Sequence, residues 1–140
     1  MEGPIARCYA HTPLGALIAA SQIGDRLGLA SNREATDILK QQAVPGPGVD
    51  HDLRILAGPE VGDGSSEGQL AGFQFVGYTP DTAVINLVSR MDNGTFNVAT
   101  FTVKWLDGDW KIQIQAGGAD SSNVSQVASL AGYVTWSGTN

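Results

Sequence analysis

Three observations predict an α+β fold with N-terminal helices packed on a curved four-stranded antiparallel sheet. Apolar residues recur at helical spacing through the first 56 residues, they alternate after Gln69, and an Asp-Gly pair reverses the chain between two alternating runs. The reversal lies within Thr95 to Gln115. Asp107-Gly108 tolerates the positive φ values of a two-residue hairpin turn. In that register Leu106 faces Asp109, Trp105 faces Trp110, Val103 faces Ile112 and Phe101 faces Ile114, so the large apolar side chains share one face. Lys104 then faces Lys111, a repulsive pair that calls for a nearby acid or open solvent.

The helices are justified by their ends and their stripes. Thr12-Pro13 offers a capping hydroxyl and a proline at the first helical position. Ala16, Ala20, Ile23 and Leu27 follow on one stripe, widened by Leu14 and by Leu17 or Ile18, and predict a helix from about Pro13 to Leu29. Gly15 and Gly24 weaken it intrinsically, which suits a second element lying close against them. Ser31-Asn-Arg-Glu34 is a capping box, opening a helix from Asn32 to about Ala43. Pro45-Gly46-Pro47-Gly48 stops it, and Val49, Leu53 and Leu56 predict a third short helix. Gly58 to Gly68, with three acids and four glycines, reads as a solvated connector.

The strands follow. Phe73 and Phe75 alternate with Gln74, Tyr78-Thr-Pro-Asp81 turns the chain, and Thr82 to Arg90 is β-branched and apolar. Between Arg90 and Thr95 two registers are open. An Asn93-Gly94 turn puts Val84, Asn86 and Val88 on the face of Phe101 and Val103; an Asp92-Asn93-Gly94 turn puts Ala83, Ile85 and Leu87 there. The second is favoured, because it keeps Asn86 out of the core. Residues 1–116 read as one cone-shaped α+β domain, and residues 117–140 as a flexible tail whose aromatic segment, with Tyr133 and Trp136, docks elsewhere.

Composition narrows the function. The chain has 140 residues, enough for one core, and a formal net charge of −6 with eight scattered Lys and Arg. That balance argues against direct nucleic-acid binding and against an anionic lipid surface, both of which need clustered cations. No 18-residue apolar run is present, so the chain as given reads as soluble, without membrane contact of its own. Cys8 is the only cysteine, which fits a reduced compartment or an extracytoplasmic domain without a disulfide framework.

Candidate chemistry is sparse. Asp37, His51, Asp52, Tyr78 and Asn86 are the polar residues that could line the interior of such a cone. A carboxylate beside Tyr78 would allow general-base chemistry of the ketosteroid isomerase kind. That needs an inward acid, and strands 82–90, 95–105 and 109–115 carry none. His11 and His51 stand 40 residues apart and read as a residue ahead of a helix cap and a helix residue, giving no metal site. Gly62, Gly64 and Gly68 sit in an acidic stretch unsuited to phosphate. No catalytic residue, cofactor or metal is expected. The residues expected to line a pocket or meet a partner are Tyr78, Asn86, Trp105, Trp110, Tyr133 and Trp136.

Four stretches carry a resemblance: His11-Thr-Pro-Leu-Gly-Ala-Leu17, Gly72-Phe-Gln-Phe-Val-Gly-Tyr-Thr-Pro-Asp-Thr-Ala-Val84, Val103-Lys-Trp-Leu-Asp-Gly-Asp-Trp-Lys111 and Ala128-Ser-Leu-Ala-Gly-Tyr-Val-Thr-Trp136. Together they resemble uncharacterised domains encoded on actinobacterial plasmids, integrative conjugative elements and phages, in which the domain usually follows a membrane anchor. That family is similar to the nuclear transport factor two-like cone fold and, more distantly, to the bitopic scaffold subunit of type IV secretion systems. The resemblance implies a non-enzymatic scaffold of a DNA-transfer apparatus, working through protein contacts. The absence of a convergent catalytic set beside an intact fold signal leads to the expectation of self-association, as a dimer or higher oligomer, through a sheet edge or the outer sheet face. It also implies a place on the extracytoplasmic face of the envelope if the chain belongs to an anchored protein. The alternative is a small-molecule binder or enzyme of the ketosteroid isomerase-like cone.

Overall fold

The computed structural model of the chain describes residues 9–59, 69–116, 118–119 and 121–135. Three helices come first: α1 (Pro13–Leu29), α2 (Asn32–Gln42) and α3 (Pro47–Leu56). The Thr12 hydroxyl accepts from the Gly15 amide at 3.0 Å and Pro13 takes the first position of α1. Both halves of the Ser31/Glu34 capping box are present on α2, with the Ser31 amide donating to Glu34 at 3.0 Å and the Glu34 amide to Ser31 at 3.2 Å. Helix α3 starts at Pro47, two residues earlier than its apolar spacing predicts, because Pro47 supplies the first-turn φ while Gly46 serves as cap. The Asn32 side chain, buried at the start of α2, donates to the carbonyls of Leu56 and Pro59 and so caps the end of α3. Of the predicted α1 stripe, Ala16, Leu17, Ala20 and Ile23 are buried, whereas Leu14 is 57% exposed in the first turn and takes no part in the core.

The strands are β1 (Gln69–Tyr78), β2 (Thr82–Arg90), β3 (Phe96–Leu106), β4 (Asp109–Ile112), β5 (Ser122–Val127) and β6 (Val134–Thr135). All ladders between them are antiparallel, and β4-β3-β2-β1-β6 follow one another across an open sheet. Ile85 pairs with Phe101 and Ala83 with Val103, which is the register of the three-residue Asp92-Asn93-Gly94 turn. Gly94 has φ 86, and the Met91 amide closes the turn on the Thr95 carbonyl. At the next reversal Trp105 pairs with Trp110, across Asp107 at φ 55 and Gly108 at φ 82. Lys104 faces Lys111, and Asp107 lies 3.9 Å from the Lys111 ammonium.

Among the described residues the sheet has two strands more than the four expected. β3 is 11 residues long and β4 only four, so β4 covers the Leu106 end of β3 while β5 pairs with the Phe96 end. β6 pairs with Gly72 and Phe73 of β1 at the opposite side. The stretch expected as a flexible tail therefore adds strands to both sides of the sheet, because it satisfies backbone groups that short neighbours leave open. Phe101 and Ile114 do not pair: β4 stops at Ile112, and Gly48 of α3 lies against the Ile114 and Gln115 carbonyls, drawing the chain off the ladder. Two register shifts in β1, between Leu70 and Gly72 and between Phe75 and Gly77, bend the sheet. Of the connector expected from Gly58 to Gly68, residues 60–68 lie outside the described residues, as do Cys8 and Trp136.

Helix α1 lies on β2, β3 and β4, and the core fills the space between. Ile23, Ile38, Ile85, Val103, Trp110 and Ile112 are each almost fully enclosed there. Gly15 has the close neighbour that its position suggested, since a Cβ there would collide with the Ala10 backbone. Gly15→Ala should therefore destabilise the chain by about 1–3 kcal/mol through overpacking, despite a propensity gain of about 1 kcal/mol. Denaturant midpoints would check the sign.

Candidate functional site

Three of the aromatic residues singled out by the sequence, Tyr78, Trp105 and Trp110, converge where the β3–β4 reversal meets the start of α1. Cross-strand pairing sets the Trp105 and Trp110 rings edge to face, with centroids 5.5 Å apart. His11 lies flat on Trp105 with centroids 3.9 Å apart and planes 1° from parallel. Its Nε2 is 2.6 Å from the Pro80 carbonyl; since a carbonyl only accepts, Nε2 carries the proton. The Trp110 indole donates to the Ala10 carbonyl at 2.8 Å, and the Tyr9 amide donates to Asp109 at 2.9 Å. Residues 9–11 are thus pinned at three points to the reversal and to the β1–β2 turn. Tyr78 packs against Trp110 at 6.1 Å and Phe75 at 6.4 Å, continuing the cluster toward β1.

Asn86 lies on the other face of the sheet. Thr100 donates to Asn86 at 2.7 Å, Asn86 donates to Gln74 at 3.2 Å, and Gln74 donates to the Gly132 carbonyl at 3.4 Å. Gln74, Asn86 and Thr100 face one another across β1, β2 and β3, so this is a polar row spanning three strands. The neighbouring row is Gly72, Val88 and Val98. Val88 is fully buried, although it belongs to the face away from the helices. Residues 128–133, running from β5 at one side to β6 at the other, lie over this face: the missing Gly72 side chain leaves room for Leu130 and Tyr133. Tyr133 is accordingly half-buried, and its amide turns back to the Leu130 carbonyl at 3.0 Å.

Of the polar residues considered for a cone interior, His51 and Asp52 meet each other, and the five do not converge on one site. Asp37 is exposed on α2, and Asn86 faces away from Tyr78. His51 and Asp52 are neighbours on α3, 3.3 Å apart, with the backbone of Gly118 against them. Among the described residues no three His, Cys, Asp or Glu side chains are grouped to hold a metal ion. An open depression of about 420 Å³ lies beside the β2–β3 turn, lined by Met91, Asp92, Asn93, Thr95, Asn97 and Gln126. Its lining carries neither a His nor an aromatic ring.

The contacts of the 9–11 segment were not visible in the chain order, because His11 and Pro80 stand 69 residues apart and Ala10 and Trp110 stand 100 apart. Burial pushes the Tyr9 hydroxyl above its ordinary value, Asp109 adds to the rise, and the Arg26 guanidinium 3.4 Å away opposes it. A raised phenol stabilises the fold below the unfolded value near 10 and loses that contribution as pH climbs through the folded value. Relative to Tyr9→Phe, the native chain should hold a constant stability difference up to about pH 10 and lose ground above it, as denaturation at stepped alkaline pH would measure. His11→Ala should cost about 1–2 kcal/mol, combining an aromatic contact with one hydrogen bond, and should shift tryptophan fluorescence to the red.

No helix among the described residues is long and apolar enough to cross a membrane. No curated protein and no solved structure matches the chain. A family model does match, over residues 1–135, nearly the whole length including the three helices and the strands β1 to β6. The chain therefore belongs to the family described as a domain of unknown function, DUF8175.

Proposed function

We propose that this chain is a non-enzymatic protein-interaction domain, a scaffold of a mobile genetic element working in a conjugative DNA-transfer apparatus. It self-associates through a sheet edge. The observation that carries the interaction reading is the free side of β1. β6 pairs only with Gly72 and Phe73, so Gln74–Tyr78 keeps its outward backbone groups unpaired by any described strand. Val76 in that run is 60% exposed. An unpaired edge with an exposed aliphatic side chain is a template for strand addition.

The chemistry of the candidate residues agrees with this reading. Trp105, Trp110 and Tyr78 are spent on closing the core around His11 and Ala10, and Asn86 is spent on the polar row. The mobile-element and transfer roles rest on the sequence resemblance of the four stretches quoted above.

Sedimentation velocity over about a hundredfold dilution should reveal a monomer–dimer equilibrium. Association should tighten with salt, because each chain carries a net charge of −6 and screening relieves the repulsion between copies. A strict monomer at every concentration, with no partner captured from host extract, would overturn the reading.

A further inference from the structure

Part of the side of β1 is covered by the chain's own C-terminal segment, and the backbone pairing of that cover is short among the described residues. β6 contributes two paired residues, both exposed, with Val134 at 57%. Among the described residues, one side-chain hydrogen bond, Gln74 to Gly132 at 3.4 Å, and the seating of Leu130 and Tyr133 at the Gly72 vacancy add to that pairing. The chain turns into this cover through Gly132, at φ 89. Against this stands what is covered. β1 reads Gln-Leu-Ala-Gly-Phe-Gln-Phe-Val-Gly-Tyr, 10 residues without a charge or a proline. Natural edge strands are ordinarily guarded by Lys, Pro, inward charges, bulges or a covering segment; β1 has its two bulges and the cover.

We propose that residues 128–135 form a removable strap on the β1 edge, and that β1 of a second copy takes its place. This rests on the reading of the chain as a self-associating interaction domain, and it names what regulates that contact. With the strap in place Gly72 and Phe73 are paired by β6; with it lifted they join Gln74–Tyr78 as edge groups open to a new strand. Two β1 strands related by a two-fold axis pair antiparallel, and each is its own complement. The absence of charge on β1 decides for a second copy: in a chain of net charge −6, it is a stretch where two copies meet without opposing carboxylates.

The test uses the full chain. In Gly72→Ala the three atoms nearest the new Cβ all belong to the strap, at 2.9 Å for the Val134 carbonyl, 3.4 Å for Leu130 and 3.5 Å for Tyr133, so the strap is the element pressed to yield. The dimer dissociation constant should fall at least about tenfold, and β1 amides should exchange hydrogen faster at dilutions where the chain is monomeric. Adding Val76→Lys, a charge on an exposed edge position, should reverse the gain. Gln74→Ala, which removes the bond to Gly132, should act in the same direction by about threefold and stands in if Gly72→Ala does not fold. A folded variant with an unchanged dissociation constant would overturn the strap, and so would tighter association that Val76→Lys fails to reverse. Association of the native chain that ignores these variants removes the strap and leaves the interaction reading; no association in any form removes both.

Discussion

The structure depends on the closure of Trp105 and Trp110 against residues 9–11. The tight reversal at Asp107-Gly108 places the two indoles opposite each other, and Tyr9, Ala10 and His11 then bind to them and to Asp109. The His11 stack and its bond to the Pro80 carbonyl add the β1–β2 turn to the same locus. Three distant segments are joined there, by contacts individually worth about 1 kcal/mol each. Gly15 belongs to the same arrangement, since the Ala10 backbone occupies the space of its absent side chain and so sets how α1 approaches the sheet.

The two faces of the sheet are used differently. Alternation along β2 and β3 sends Ala83, Ile85 and Val103 to the helices, and sends Asn86, Val88, Val98 and Thr100 the other way. A half-wet sheet would leave the second set in solvent. Here the chain from β5 to β6 returns over that face, burying Val88 and accepting a hydrogen bond from the polar row at Gly132. The aromatic cluster holds the domain together on one face, and the strap governs which backbone groups are open on the edge next to the other.

Much of the local structure was legible in the chain. The Thr12 cap, the Ser31/Glu34 box, the span of β2 and the registers of two hairpins all emerged as read, because each is decided within a few residues by a side-chain cap, a proline or a glycine at positive φ. Of the candidate residues, Trp105 and Trp110 were placed as partners by register alone. The role of His11 was hidden, since a stacking partner 94 residues later leaves no periodic trace. β5 was hidden for a related reason: Ser122–Val127 has the composition of a loop, and its pairing is dictated by the vacant half of β3.

The amino-acid sequence by itself determined the helix ends, the strand periods and the turn geometry, because those depend on backbone preferences and on neighbours a few positions away. Only the tertiary structure decided that residues 9–11 lock the core, that Asn86 belongs to a polar row on the far face, and that the final segment crosses the sheet to cover part of β1. These outcomes depend on which surfaces remain unsatisfied after the local elements have formed. That quantity belongs to the assembled fold and is carried by no single stretch of the chain.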